Sequence, residues 1–114
     1  MAVSGAYLDL IAAEGKASVT HISLVNGSGT EVSSREVASW TGPTSGDGKI
    51  YLTSNIEFSI TGGDTVAGWK GWSAAESGTE YVNSTFASSE SFTADGTYTL
   101  NAGTNETYID HNAV

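Results

Sequence analysis

A histidine beside a hydroxyl is the smallest apparatus for an activated nucleophile, and the chain offers two histidines, His21 and His111. His21 falls inside an alternating apolar run, and His111 lies near the end of the sequence. Serine and threonine are so abundant that a hydroxyl near either ring carries no information, and no G-x-S-x-G elbow occurs. Paired carboxylates could perform general acid-base work, as in glycoside hydrolysis. The 13 acidic residues stand mostly in turn or strand-edge contexts, where solvated surface charge explains them more simply. No catalytic residue is assigned.

Gly46-Asp47-Gly48-Lys49 has a partial likeness to a phosphate loop, but the first glycine is missing at the required spacing. Ile50 also stands where a magnesium-binding Ser or Thr belongs, so a turn is the simpler reading. The alternating oxygen donors of a calcium loop are not found. The absence of cysteine excludes disulfides and thiolate metal sites. Three N-x-[ST] triplets begin at Asn26, Asn83 and Asn105, as expected by chance in a chain this rich in Ser and Thr. No metal and no cofactor is assigned.

The tryptophans remain. VAGWKGWSAAESGTEY, residues 66 to 81, sets Trp69 and Trp72 three positions apart. On one regular strand an odd offset sends them to opposite faces. One ring would enter a core and the other would meet solvent, a ligand or another protein. Exposed indoles stack on sugars, and aromatic residues are equally enriched at protein interfaces. A bulge at Gly68 or Gly71 would instead shift parity and bury both.

The elements that must position these residues are short. Ser4 is a candidate N-cap, and Tyr7, Leu8 and Ile11 recur at helical spacing before Gly15, predicting one helix over residues 5 to 14. SVTHISLV alternates, with Thr20, Ile22 and Leu24 on one face, and ends at Asn26-Gly27. SREVASW, residues 34 to 40, reads as a second strand closed by Gly42-Pro43. KIYLTSNIEFSI places Ile50, Leu52, Ile56, Phe58 and Ile60 on one parity, a long and bent strand with one buried face. TEYVNSTF, ESF and GTYTL are further short strands, the last two separated by an Asp95-Gly96 turn. Six or seven such strands predict an all-β fold, an antiparallel sandwich or barrel-like domain with one short N-terminal helix. Residues 1–114 form a single domain, with the helix or arm over 1–16 and the β domain over 17–110. The predicted core holds Trp40, Ile22 and Leu24 together with the residues of the alternating run.

Thirteen acidic against 4 basic side chains give a net charge of −9. That field opposes nucleic-acid phosphates and anionic lipid surfaces. No apolar run reaches the roughly 18 residues of a membrane helix, and MAVSGAYLDL shows no secretion signal.

Taken in order, THISL (20 to 24), SREVASW, the long alternating run, GWKGWSAAESGTEY and SFTADGTYTL resemble a family of small bacteriophage virion proteins. Those proteins read THISLHT, then A-R-x-A-V-x-W, then V-G-x-W-D-A-A-x-G-G-T and a closing G-T-Y-T-L. Trp40 matches the second segment, and Trp72, Ala74, Ala75 and Thr79 match the third, within a resemblance covering about residues 17 to 104. Val25-Asn26 replaces the family's His-Thr, and Ser73 replaces its Asp.

The resemblance implies a non-enzymatic structural protein, made in the bacterial host cytoplasm and built into the virion. Family members are head decoration or tail-fibre-associated proteins. An acidic, compact domain favours head decoration on the outer capsid surface, where it would stabilise the shell. The expected partners are then the major capsid protein and copies of the chain itself in a closed symmetric oligomer, a trimer being one such form. The alternative is a minor tail or tail-fibre-associated protein with a carbohydrate-binding, host-recognition role. On the first reading Trp72, which the resemblance retains, belongs to the core. Trp69 faces an interface, with Tyr7, Leu8 and Ile11 of the helix as further interface candidates.

Overall fold

A computed structural model describes residues 4–44, 46–103 and 106–111. Residues 1–3 of the predicted arm, and Asn105 at the head of its triplet, lie outside that range. The chain opens with helix α1, Gly5–Ser18. Ser4 caps it as expected, its Oγ accepting from the Tyr7 amide at 3.2 Å; an N-cap of this kind contributes about 1 kcal/mol.

The helix does not stop at Gly15. It runs to Ser18, and the Val19 amide donates to the Gly15 carbonyl at 2.9 Å. Glycine stands there because a Cβ would strike the His111 imidazole, so its role is close approach rather than termination. Leu8 and Ala12 turn inward, while Tyr7, Leu10 and Ile11 face out at 54%, 69% and 40% exposure. Leu8 is therefore no interface residue: the inward turn of the helix buries it. Asp9, one position on, accepts the Gly46 and Gly48 amides at 3.0 and 3.2 Å and ties the helix to the loop at 46–48.

Among the described residues nine strands follow: β1 His21–Val25, β2 Glu36–Val37, β3 Trp40–Thr41, β4 Lys49–Leu52, β5 Ile56–Ile60, β6 Thr65–Trp72, β7 Glu80–Ser91, β8 Gly96–Leu100 and β9 Tyr108–Asp110. All pair antiparallel, in the orders β2-β1-β6-β7, β3-β4-β9 and β5-β8. The all-β, sandwich-like architecture with one N-terminal helix is as the sequence predicts.

Two predicted strands are each divided between sheets. SREVASW breaks after Val37, where the Ala38 amide turns to the Thr20 carbonyl, and Trp40 starts a strand of a different sheet. The alternating run breaks at Thr53-Ser54-Asn55 into β4 and β5. Parity survives the break: Ile50, Leu52, Phe58 and Ile60 are buried, and Ile56 packs half-buried against the same cluster. Conversely, TEYVNSTF and ESF join into the single 12-residue β7.

The core gathers Ile22, Leu24, Trp40, Val66 and Trp69 with the inward residues of β4 and β5. Trp40 and Trp69 meet at 6.2 Å between ring centroids with planes tilted 34°. The Trp40 Nε1 donates to the Val19 carbonyl at 2.7 Å, so the indole is buried without an orphaned donor.

The placement of the two close tryptophans is the reverse of the expectation. Trp69 is 3% exposed and opposes Leu24 of β1, inside the core. Trp72 is only half-buried. Between Val66 and Gly68 the β6–β7 register shifts, so that one β6 residue faces several on β7. Val66 before that irregularity and Trp69 after it are both buried in the core, although an odd number of positions separates them. Trp72 then falls on the outer face with Lys70.

Candidate interaction surface

Both histidines and the loop at 46–49 have hydrogen-bond partners within the fold. The His21 Nδ1 is 2.8 Å from the Thr20 Oγ1, and the His111 Nδ1 donates to the Gly48 carbonyl at 2.9 Å. In the loop at 46–49 the amides of Gly46 and Gly48 already serve Asp9, an anion, rather than a phosphate. Asp47 accepts from the Lys49 amide at 3.0 Å and the Tyr51 hydroxyl at 3.2 Å. The Lys49 amide above all, and then that hydroxyl, hold the Asp47 carboxyl below the usual carboxylate range. These bonds are strongest with the carboxylate ionised and weaken as pH falls through the lowered value. Among the described residues no group of three acidic or histidine side chains is placed to hold a metal ion.

Trp72 is the plate of a brace. The Arg35 guanidinium lies 3.6 Å above its ring centroid, and Lys70 stands at 5.9 Å. Arg35 Nε bonds the Glu31 carboxylate at 2.8 Å, and its Nη1 reaches the carbonyls of Ala74 at 3.1 Å and Ser77 at 2.6 Å. The indole Nε1 donates to the Ser23 Oγ at 2.9 Å, and that fully buried hydroxyl donates in turn to Glu31 at 3.1 Å. One cation thus joins the loop before β2 to the loop after β6. The Arg35 stack occupies a face that sugar stacking would need.

The open surface lies elsewhere. β7 and β9 are each the last strand of their sheet among the described residues. Between them runs a groove of about 660 Å³, floored by Trp69 and walled by Tyr81 to Ala87 on one side and by Glu106 to Asp110 on the other. A second hollow of about 480 Å³ continues it towards α1, sharing Tyr81, Val82, Ile109 and Asp110 and ending at Ile11 and Glu14. Val82 and Ser84 oppose Gly71 and Trp69, and Phe86 follows on the same parity, so all three point to the inner face. They are nevertheless half-exposed, because β9 is three residues long and covers little of β7. Phe86 stacks on Tyr98 at 5.7 Å. Burial, and then the charge of Glu90, push the Tyr98 hydroxyl up from its ordinary pKa.

Comparison of the chain with family models, curated proteins and solved structures finds no match.

Of the four interface candidates, the structure leaves Tyr7 and Ile11 exposed on one helix and buries Leu8 and Trp69. Ile11 borders the groove, and Trp69 enters it only as part of the floor. Sequence reading missed Tyr81 and Tyr108, 54% and 41% exposed on the two flanking strands. A signal for the first was present: no residue between Glu80 and Glu90 is charged, although the stretch ends up at a sheet edge. Edge strands usually carry charge or proline as protection against pairing.

Proposed function

We propose that this chain is a non-enzymatic structural protein of a bacteriophage virion, a head decoration protein that binds the outer capsid surface and stabilises the shell. One observation carries the reading: the groove between β7 and β9 runs into the Ile11 end of α1, so the unpartnered surfaces form one continuous side. A one-sided binding surface suits a small domain attached to a larger wall. The charge of −9 supports it, keeping the outward side soluble and off the packaged DNA. The order of sequence motifs shared with small phage virion proteins points the same way. The partners are the major capsid protein and copies of the chain itself.

A tail-associated, sugar-binding role is the second reading. It draws on Tyr81 and Tyr108, which line the groove beside Asn83, Thr85 and Glu106. The two are separated by particles assembled without the chain. Decoration predicts heads that fill with DNA but rupture at lower temperature or on osmotic shock, with normal adsorption to host cells. Stable heads with defective adsorption would contradict decoration and favour the tail.

A further inference from the structure

We infer that the groove between β7 and β9 receives an extended, basic segment of a partner protein, which adds to the domain as a strand. The inference rests on the chain being an attached structural protein, and it names the chemistry of the attachment.

Geometry argues for a strand. At about 3.3 Å per residue, β7 runs for about 40 Å and β9 for about 10 Å. Both are end strands, so each has a ladder edge without a sheet neighbour among the described residues. A segment laid beside β9 would extend the β3-β4-β9 sheet by one strand. It would also cover the inward side chains Val82, Ser84 and Phe86, which the present sheet leaves half-exposed. Backbone pairing at such an edge provides affinity, and alternate side chains entering the groove provide selection. The uncharged stretch between Glu80 and Glu90 leaves that edge without the usual protection.

Charge argues for a basic occupant. The walls of the groove and its continuation bring in the exposed carboxylates of Glu106 and Glu14, and none of the described lining residues is Lys or Arg. Three of the chain's four Lys and Arg side chains are directed elsewhere, Lys16 to the Gly42 carbonyl, Arg35 to its brace and Lys70 to Glu80, while Lys49 lies over the ring of Tyr108 in the groove's wall at 5.4 Å. A second copy of a chain with net charge −9 would meet repulsion there, whereas a lysine- or arginine-bearing segment would be drawn in.

The test uses the full chain, isotope-labelled, and two blocked peptides of about ten residues, a common strand length. Both carry the same alternating Val and Thr; one bears lysines and the other glutamates. The lysine peptide should shift and protect backbone amides of residues 81 to 87 and 108 to 110. It should bind at least about tenfold more tightly than the glutamate peptide at about 0.01 M ionic strength, and most of that preference should vanish near 1 M. Glu106→Lys, an exposed change, should weaken the lysine peptide several-fold and leave the spectrum of the fold intact.

Three results would overturn the inference. They are equal binding of both peptides, shifts scattered over the acidic surface without protection at the two edges, and edge amides already protected in the free chain in a concentration-dependent way, which would make a second copy the occupant. Peptide binding is independent of particle location. A tail protein could pass this test, and a decoration protein attached through α1 alone would fail it.

Discussion

Trp69→Ala is expected to cost about 3–5 kcal/mol of folding stability, much of the total available to a domain of this size, for which about 5–15 kcal/mol is usual. Trp69 is 3% exposed, opposes Leu24 and meets Trp40 across the core. Removing it leaves a void bounded by Trp40 on one side and open to the groove on the other. Water entering from the groove would then reach the centre of the sandwich. Trp72→Ala, by contrast, removes an outer plate, a cation stack and one hydrogen bond, and is expected to cost about 1–2 kcal/mol. Urea unfolding of the two variants tests the assignment directly. If Trp72→Ala proved the more damaging, Trp72 rather than Trp69 would be the core residue.

The second large effect is expected at Arg35. Its side chain is 10% exposed and its partner Glu31 is 34% exposed. Removing one member of a fully buried pair costs about 3–5 kcal/mol. The partial exposure of Glu31 lowers the figure for Arg35→Ala to about 2–4 kcal/mol. Arg35→Lys should recover less than half of the loss. A lysine offers one point charge, whereas the planar guanidinium serves a carboxylate, two carbonyls and a ring face at once. A double-mutant cycle with Trp72→Ala should show clear coupling between the two positions. Full recovery by lysine would mean that charge alone, without the stack and the forked bonds, holds the loops together.

Local rules carried much of the fold. A serine before an amphipathic run marked the start of α1, and the two-residue period of Ile50, Leu52, Phe58 and Ile60 marked a buried face. Both are properties of neighbouring residues. The errors began where distant residues decide. Gly15 looks like a helix stop until His111 is brought against it from the far end of the chain. Trp69 and Trp72 obey opposite parity, but which of them faces inward is set by the pairing of β6 with β1 and β7, strands distant in sequence. Arg35 lies outside every strand, and nothing near it in sequence says that it will cap an indole at position 72.

The interaction surface was the least legible part, for a related reason. An edge exists only after sheet order is fixed, and sheet order is global. β9, with three residues, is too short to show any period, so one wall of the groove had no sequence signature. The other wall did, in the uncharged run of β7, which reads as an ordinary strand until it is found at the end of its sheet.

The proposed attachment to the capsid shell can be tested by the copy number of this chain relative to the major shell protein in purified particles. Quantitative mass spectrometry should find the two in a near-stoichiometric, symmetry-related ratio, because every equivalent shell site offers the same surface. A handful of copies per particle would contradict shell decoration and place the chain at the tail, with the tyrosine-lined groove then a host-recognition surface.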